Sequence, residues 1–215
     1  MVGSVAIERQ RPRLRADASR NRERIVTAAR EALVEHGPDI PLDEVARRAG
    51  VGNATLYRHF ADRTQLIRTV TLSVMDRVAR RAEAALAEEP DAFEALRRFT
   101  HEAADERIGA LCTLLSGAFE EGDPELVSVG DHLTAAVQAL ISSAHRSGQL
   151  RTDVAVGDLM VALSQLTRPL PGTACFNIDR FAHRHLQLFL DGLRTPARSE
   201  LPGSAVTLED LQQKS

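Results

Sequence analysis

Apolar residues recur every three or four positions along most of the chain, which is the spacing of one buried face of an α-helix. The first such stripe predicts a helix that starts near Asp17 and stops at Gly37-Pro38. Glycine accepts the left-handed conformation at a helix end, and proline cannot continue a helix. The apolar positions of this predicted helix are Ile25, Ala28, Ala29, Ala32 and Leu33.

Two short helices are predicted next. One begins near Pro41, since proline suits the first turn of a helix, and it ends at a turn that contains two glycines. The other runs from Ala54 to Phe60, with Asn53 as its N-cap. Leu56 lies four residues before Phe60, so both side chains share one side of this helix.

Longer helical patterns fill the rest of the chain, and none of the segments alternates between apolar and polar residues as a strand does. A long helix is predicted from just after Asp62 to Pro90, followed by patterns at 91–106, 108–121, 124–147, 154–168 and 176–194. The sequence therefore predicts an all-α protein of about nine helices. Its predicted parts are a flexible arginine-rich arm at 1–16, a three-helix domain at 17–63, a helical bundle domain at 64–195 and a tail at 196–215.

Charge is distributed unevenly along the chain. The net charge is −3, yet the first 24 residues contain seven arginines against three acidic residues. A basic end on an acidic body suggests that this end meets a polyanion, although a solvated tail has the same composition. The two cysteines, Cys112 and Cys175, have no CxxC spacing, and no apolar run is long enough to span a membrane. We therefore expect a cytoplasmic protein without a membrane partner.

The three N-terminal helices meet the physical requirements of a helix-turn-helix. The turn must be short and contain glycine, and the third helix must bury a narrow face while it offers the other face to a major groove. The segment PLDEVARRAGVGNATLYRHFADRTQL resembles the DNA-binding signature of the tetracycline-repressor (TetR) family of bacterial regulators, and the resemblance extends over about residues 20–68.

This resemblance implies roles for individual residues. Tyr57 and His59 are expected to contact phosphates, and Arg63 stands where the family usually has a phosphate-binding lysine. Bases or adjacent backbone are expected to be contacted by Asn53, Ala54, Thr55 and Arg58. Three alternatives stay open: Tyr57 could only pack its ring, His59 could brace the helix end, and Arg58 could be a solvated surface charge.

The resemblance also implies a C-terminal bundle that forms a homodimer and encloses a small-molecule effector. Apolar stripes in the last two helices predict a dimer interface at Leu159, Leu163, Leu166, Phe181, His185, Leu188 and Phe189. Apolar and polar residues of the middle helices predict an effector pocket at His101, Cys112, Leu115, Phe119, Val137 and Met160. Both sets could instead be the core of a single chain.

These features predict a dimeric, sequence-specific transcriptional regulator. It is expected to be a repressor that binds a near-palindromic operator and leaves it when an unknown small-molecule effector binds. The sequence contains none of the common catalytic motifs and no metal-ligand spacing, so we expect neither enzymatic activity nor a cofactor or metal. Two alternatives remain. One is an all-helical small-molecule-binding protein or enzyme that does not bind DNA, and the other is a non-specific chromosome-binding protein.

Overall fold

The structure is a computed structural model that describes residues 4–37, 39–107, 123–168, 178–207 and 210–211. Within these ranges the chain forms eight α-helices and no strand, which confirms the predicted all-α class. The predicted helix at 108–121 lies outside the described residues. The helices are α1 (Ser4–His36), α2 (Leu42–Ala49), α3 (Asn53–His59), α4 (Arg63–Glu88), α5 (Ala92–Asp105), α6 (Pro124–Arg146), α7 (Val156–Leu166) and α8 (Ile178–Leu193).

The chain divides into two compact units, Met1–Thr71 and Leu72–Ser215. The boundary falls within α4, whereas the sequence pattern placed it before that helix. The reason is that the first turns of α4 bury Leu66, Ile67 and Val70. The N-terminal unit is therefore a three-helix domain extended by the beginning of a fourth helix.

Helix α1 is longer than predicted. It begins at Ser4, so most of the expected flexible arm at 1–16 is helical in the structure. This segment has no apolar stripe, and for that reason the periodicity did not reveal it. Arginine, glutamate, glutamine, leucine and alanine are nevertheless good helix formers, and these residues dominate the segment.

The turn between α2 and α3 is built on glycine. Gly50 ends α2 with φ of 62°, and the amide of Val51 donates to the carbonyl of Ala46 over 3.0 Å. A positive φ favours glycine, because other residues meet steric strain there. The predicted N-cap of α3 is wrong by one residue: Gly52 is the N-cap and Asn53 is the first helical residue, with no side-chain cap bond.

In the C-terminal unit, α5 packs against α6, α7 and α8. Its N-terminus is capped by Asp91, whose Oδ1 accepts the amides of Phe93 and Glu94, each over 2.9 Å. These bonds satisfy donors that the helix itself leaves free. The core between these helices contains Phe93, Leu96, Phe99, Val137, Leu140, Ile141, Leu159, Leu163, Leu186 and Leu190.

The predicted tail is attached to this unit as far as it is described. Arg151, which is buried, donates from Nη2 to the carbonyl of Ser199 over 2.8 Å. Asp158 accepts the amide of Val206 over 3.2 Å, and a methyl group on Gly157 would lie 2.3 Å from the Val206 carbonyl oxygen. These contacts hold the segment after α8 against the beginning of α7 and against Arg151, which precedes that helix. In the described chain, no helix has the length and apolarity needed to cross a membrane.

Candidate nucleic-acid interface

Helix α3 has one buried side and one exposed side. Leu56 and Phe60 are buried, as the spacing predicts, and they hold the helix against the rest of the N-terminal unit. On the outer side Tyr57 is 55% exposed and Arg58 is exposed, and neither side chain forms a hydrogen bond or ion pair within the described residues. The phenol and the guanidinium are therefore available to a partner outside the chain.

The first turn of α3 widens this exposed surface. Asn53 and Ala54 are exposed, and Thr55 is half-buried. The amides of Thr55 and Leu56 are already used, because both donate to the carbonyl of Gly52, over 2.8 and 3.1 Å. The polar groups that remain for recognition in this turn are the side-chain amide of Asn53 and the hydroxyl of Thr55, together with the backbone amides of Asn53 and Ala54, which have no acceptor within the helix.

His59 differs from its neighbours because its ring is partly turned inward. Its Nε2 atom is buried and has no hydrogen-bond partner within the described residues. The ring lies 6.5 Å from the ring of Phe60, centroid to centroid. As placed, at most the other ring nitrogen of His59 can reach a phosphate, so the predicted contact of this residue requires Nδ1 or a rotation of the ring.

Arg63 begins α4 and lies near an acidic side chain. Its Nη1 is 3.5 Å from Oδ1 of Asp39, which is almost fully exposed. An exposed ion pair of this kind contributes little to stability. A phosphate could therefore replace Asp39 at small cost, and the charge of Arg63 remains available for the predicted role.

Helix α2, which supports α3, is joined to α1 by a charge network around Glu44. Arg47 binds both oxygens of Glu44, over 2.7 and 2.8 Å, and Arg48 donates from Nε to Oε1 over 2.8 Å. Arg48 also reaches Glu35 of α1, with 2.7 Å between Nη1 and Oε2. The hydrogen bond from Arg47 is the largest cause that lowers the pKa of Glu44 from 4.5 to about 2, followed by the bond from Arg48.

We predict that this network makes the N-terminal unit sensitive to acid. A carboxylate whose pKa is lower in the folded state stabilises the fold above its unfolded pKa and loses this contribution as pH falls towards the folded value. The difference in free energy of unfolding between wild type and Glu44→Gln should shrink as pH falls from about 4.5 to about 2. Denaturant unfolding at a series of pH values measures it, and a difference that stays constant would contradict the assignment.

Only part of the predicted effector site lies in the described chain. Cys112, Leu115 and Phe119 fall outside the described residues. Val137 is buried in the core of the C-terminal unit, Met160 is half-buried, and His101 is half-buried on α5. A cavity of about 780 Å³ lies elsewhere in this unit, and none of the residues predicted for the effector site lines it. Its lining includes Arg151, Asp191, Arg194, Pro196, Arg198 and Leu201.

His101 belongs to a hydrogen-bonded chain that the sequence did not reveal. Its Nδ1 lies 2.9 Å from Nδ1 of His183, and its Nε2 lies 3.2 Å from Oε1 of Gln187. His183 Nε2 contacts Asp105 over 3.0 Å, and the Gln187 amide donates to Asp191 over 2.8 Å. Both Nε2 atoms thus face acceptors, and the two Nδ1 atoms satisfy each other only when one of them carries a proton. Local sequence gives no signal for a pair 82 residues apart.

Within the described residues, no group of three or more His, Cys, Asp or Glu side chains is placed to hold a metal.

The predicted dimer surface is divided between core and exterior. Leu159 and Leu163 are fully buried among helices of their own chain, so their side chains form its core and not a surface for a partner. In α8 the buried stripe is Ala182, Leu186, Leu190 and Leu193. The remaining predicted residues lie outside this core: Phe181 is 53% and Leu188 is 59% exposed, His185 is exposed, and Leu166 and Phe189 are half-buried.

Comparison with protein-family models matches the two parts of the chain separately. Residues 25–70 match the model of bacterial regulatory proteins of the tetR family. Residues 90–195 match the C-terminal domain model of SbtR-like transcriptional regulators. The first match covers α2 and α3 together with most of the described contacts around them.

The first two curated relatives match about a quarter of the chain. The HTH-type transcriptional regulator TtgW of Pseudomonas putida is 41% identical over 59 residues, which are 27% of this chain and 44% of that protein. The HTH-type transcriptional regulator SAUSA300_2515 of Staphylococcus aureus is 41% identical over 54 residues, 25% of this chain and 29% of that protein. The matched segment therefore spans less than half of the length of these relatives.

Solved structures are similar over most of the chain. A TetR transcription regulatory protein from Mycobacterium vanbaalenii is 30% identical with a TM-score of 0.62, and the match covers 85% of this chain and 99% of that one. The TetR transcriptional regulator SCO0520 from Streptomyces coelicolor is 31% identical with a TM-score of 0.61, over 82% of this chain and 99% of that one.

Proposed function

Because the chain belongs to the TetR family of bacterial regulatory proteins, we propose that it is a dimeric, sequence-specific DNA-binding repressor of transcription. The observation that carries this proposal is the exposed side of α3. Tyr57 and Arg58 stand free on a helix whose opposite side, Leu56 and Phe60, is buried. A short helix held in this way fits the major groove, and its polar groups face the duplex.

In the proposed complex, two copies of α3 enter successive major grooves about 34 Å apart, on a near-palindromic operator. The phenol of Tyr57 and the guanidinium of Arg63 bind phosphates. His59 is the third residue predicted to contact a phosphate, and it does so through Nδ1. Arg58, Asn53 and Thr55 face base edges, and Ala54 is close to the same surface. Phosphate contacts fix the position of the protein on the duplex, and base contacts read the sequence.

We further propose that a small-molecule effector binds the C-terminal unit and releases the operator. The effector can do so only if it binds more tightly to the conformation that does not fit the operator. The half-buried polar residue His101 and the half-buried Met160 are the described residues proposed to line its site. The protein would act in the bacterial cytoplasm, where its DNA target is.

The test is binding of the full chain to duplex DNA that lies upstream of its own gene, at several salt concentrations, beside an unrelated duplex of equal length. We expect preference for the upstream duplex and an affinity that falls steeply as salt rises, because phosphate binding releases counterions. Equal binding of both duplexes would instead support a non-specific chromosome-binding protein. No salt-dependent binding of either duplex would support the helical ligand-binding protein or enzyme.

We predict that Leu188→Asp disrupts the homodimer. Leu188 is 59% exposed on the same side of α8 as Phe181 and His185, so a second copy of the chain would desolvate it. Burying a carboxylate there is unfavourable, and the dimer dissociation constant should rise on the order of 100-fold. Sedimentation at several protein concentrations measures it. Glu125→Gln, a change at an exposed position of α6, is the control, and an unchanged dimer in Leu188→Asp would place the interface elsewhere.

A further inference from the structure

Arg24 of α1 contacts the turn that precedes the recognition helix. Its Nη2 donates to the carbonyl of Gly50 over 3.3 Å, and Gly50 is the residue that ends α2. A methyl group on Gly50 would lie 2.5 Å from that nitrogen. The last carbonyls of a helix have no partner within the helix, and the macrodipole makes this end negative. A guanidinium is therefore well suited to this position.

Arg22 of α1 makes the equivalent contact at the end of α3. Its Nη1 lies 3.5 Å from the carbonyl oxygen of His59, the last residue of that helix, and its Nη2 lies 3.4 Å from the hydroxyl of Thr69 in α4. The guanidinium carbon is 4.6 Å from the centroid of the buried Phe60 ring, which is a cation–π distance. Each of these contacts is modest alone, but together they join α1, α3 and α4 at one point.

We propose that Arg22 and Arg24 are positioning residues that set the orientation of α3 for the operator. Consecutive residues of a helix are about 100° apart around its axis, so two side chains at i and i+2 leave the helix about 160° apart and cannot serve one carbonyl. Each binds the C-terminal carbonyl of a different helix of the helix-turn-helix, Arg24 that of α2 and Arg22 that of α3. This inference rests on the proposed DNA binding for its functional meaning, but the contacts themselves can be tested without DNA.

The competing explanation for such arginines is direct phosphate binding, and α1 offers a matched control. Arg20 is an exposed arginine of the same helix, two residues from Arg22, and its ion pair is with Asp17, one turn away in α1. Arg20→Gln removes the same charge without touching α2 or α3. Arg22→Lys keeps the charge but loses the planar group that stacks on Phe60 and reaches two oxygens.

The first measurement is amide hydrogen exchange of the DNA-free, full-length protein. The Phe60 amide donates to the carbonyl of Leu56 over 2.9 Å and reports on the end of α3. In Arg22→Gln its exchange should become about three- to tenfold faster, as expected when a helix end loses a charged partner, with Arg22→Lys intermediate and Arg20→Gln unchanged. The Val51 amide should respond in the same way to Arg24→Gln. Equal exchange in Arg22→Gln and Arg20→Gln would overturn the proposal.

The second measurement is DNA affinity against salt, with the upstream duplex as probe. A positioning residue lowers affinity, here by about three- to tenfold, while the number of phosphate contacts and the salt slope stay the same. A residue that binds phosphate reduces the slope by about one. A reduced slope in Arg22→Gln or Arg24→Gln would therefore overturn the proposal. If wild type itself bound no DNA, the proposed function would fail, whereas hydrogen exchange would still decide whether the arginines hold α3.

Discussion

Phe60→Ala is expected to destabilise the N-terminal unit by about 3–5 kcal/mol and to abolish DNA binding with it. Phe60 is fully buried at the end of α3, and the guanidinium of Arg22 lies over its ring. Its loss leaves a cavity that the short helices α2 and α3 cannot fill, because few other side chains hold α3 in place. Helix α3 has only seven residues, and a helix this short is stable only through packing.

Fluorescence of Tyr57 measures this destabilisation locally. Tyr57 is the only tyrosine, and the chain has no tryptophan, so the signal comes from α3 alone. Urea unfolding of Phe60→Ala should show an earlier transition by fluorescence than by far-ultraviolet circular dichroism, which averages over all helices. Coincident transitions at the wild-type midpoint would show that Phe60 does not hold the helix.

Tyr57→Ala, on the same helix, is expected to weaken DNA binding without the loss of stability expected for Phe60→Ala. Tyr57 is more than half exposed, so its removal should change the circular dichroism midpoint little while DNA binding weakens about tenfold or more, through the lost bond to a phosphate. A large loss of stability in Tyr57→Ala would favour the alternative in which the ring only packs. Together the two variants separate the buried side of α3 from its outer side.

The short helices could be predicted in detail because local chemistry determines them. Gly50 ends α2, and a spacing of four places Leu56 and Phe60 on one side of α3. The first turn of α3 differs from the prediction, because Asn53 is a common cap residue and the sequence does not show that Gly52 already occupies the cap position. The start of α1 also differs from the prediction, since helix propensity alone, without an apolar stripe, supports its first residues.

The C-terminal unit shows why apolar stripes alone do not identify an interface. The apolar stripe of α7 contains Leu159 and Leu163, which lie in the core of the chain. Helix α8 has apolar residues on two sides, with Leu186 buried and Leu188 exposed. Hydrophobicity is the same for a leucine that packs in its own chain and for one that packs against a partner. The pairing of His101 with His183 was equally hidden, because it depends on how α5 packs against α8.

The structure also distinguishes arginines that have partners inside the N-terminal unit from those that do not, which the sequence alone cannot do. Arg47 and Arg48 bind Glu44, and Arg22 and Arg24 contact the ends of α3 and α2, so these four guanidinium groups have partners inside the unit. Arg58 has none within the described residues. Arg58 projects from the exposed side of α3 and gives up no internal contact on binding, so it is the arginine with the largest expected effect on sequence preference.

Arg58→Ala is expected to reduce sequence discrimination and not general affinity. A bidentate arginine–guanine contact contributes about 1–3 kcal/mol of preference for the right base, which corresponds to about five- to 150-fold. Duplexes selected by the wild-type protein from a randomised library provide the probe. The ratio of affinities for the best duplex and for its single-base variants should fall by that factor at one position in each half-site, with the salt slope unchanged.

Arg63→Ala is the matched control, because it removes the same side chain five residues later, at the start of α4. If Arg63 binds a phosphate, its loss weakens all duplexes alike and lowers the salt slope by about one. Base readout and phosphate binding then leave different signatures in two variants of equal charge. If Arg58→Ala weakened every duplex equally and lowered the slope, its guanidinium would be bound to the backbone, and the sequence preference would have to come from Asn53 and Thr55 in the first turn of α3.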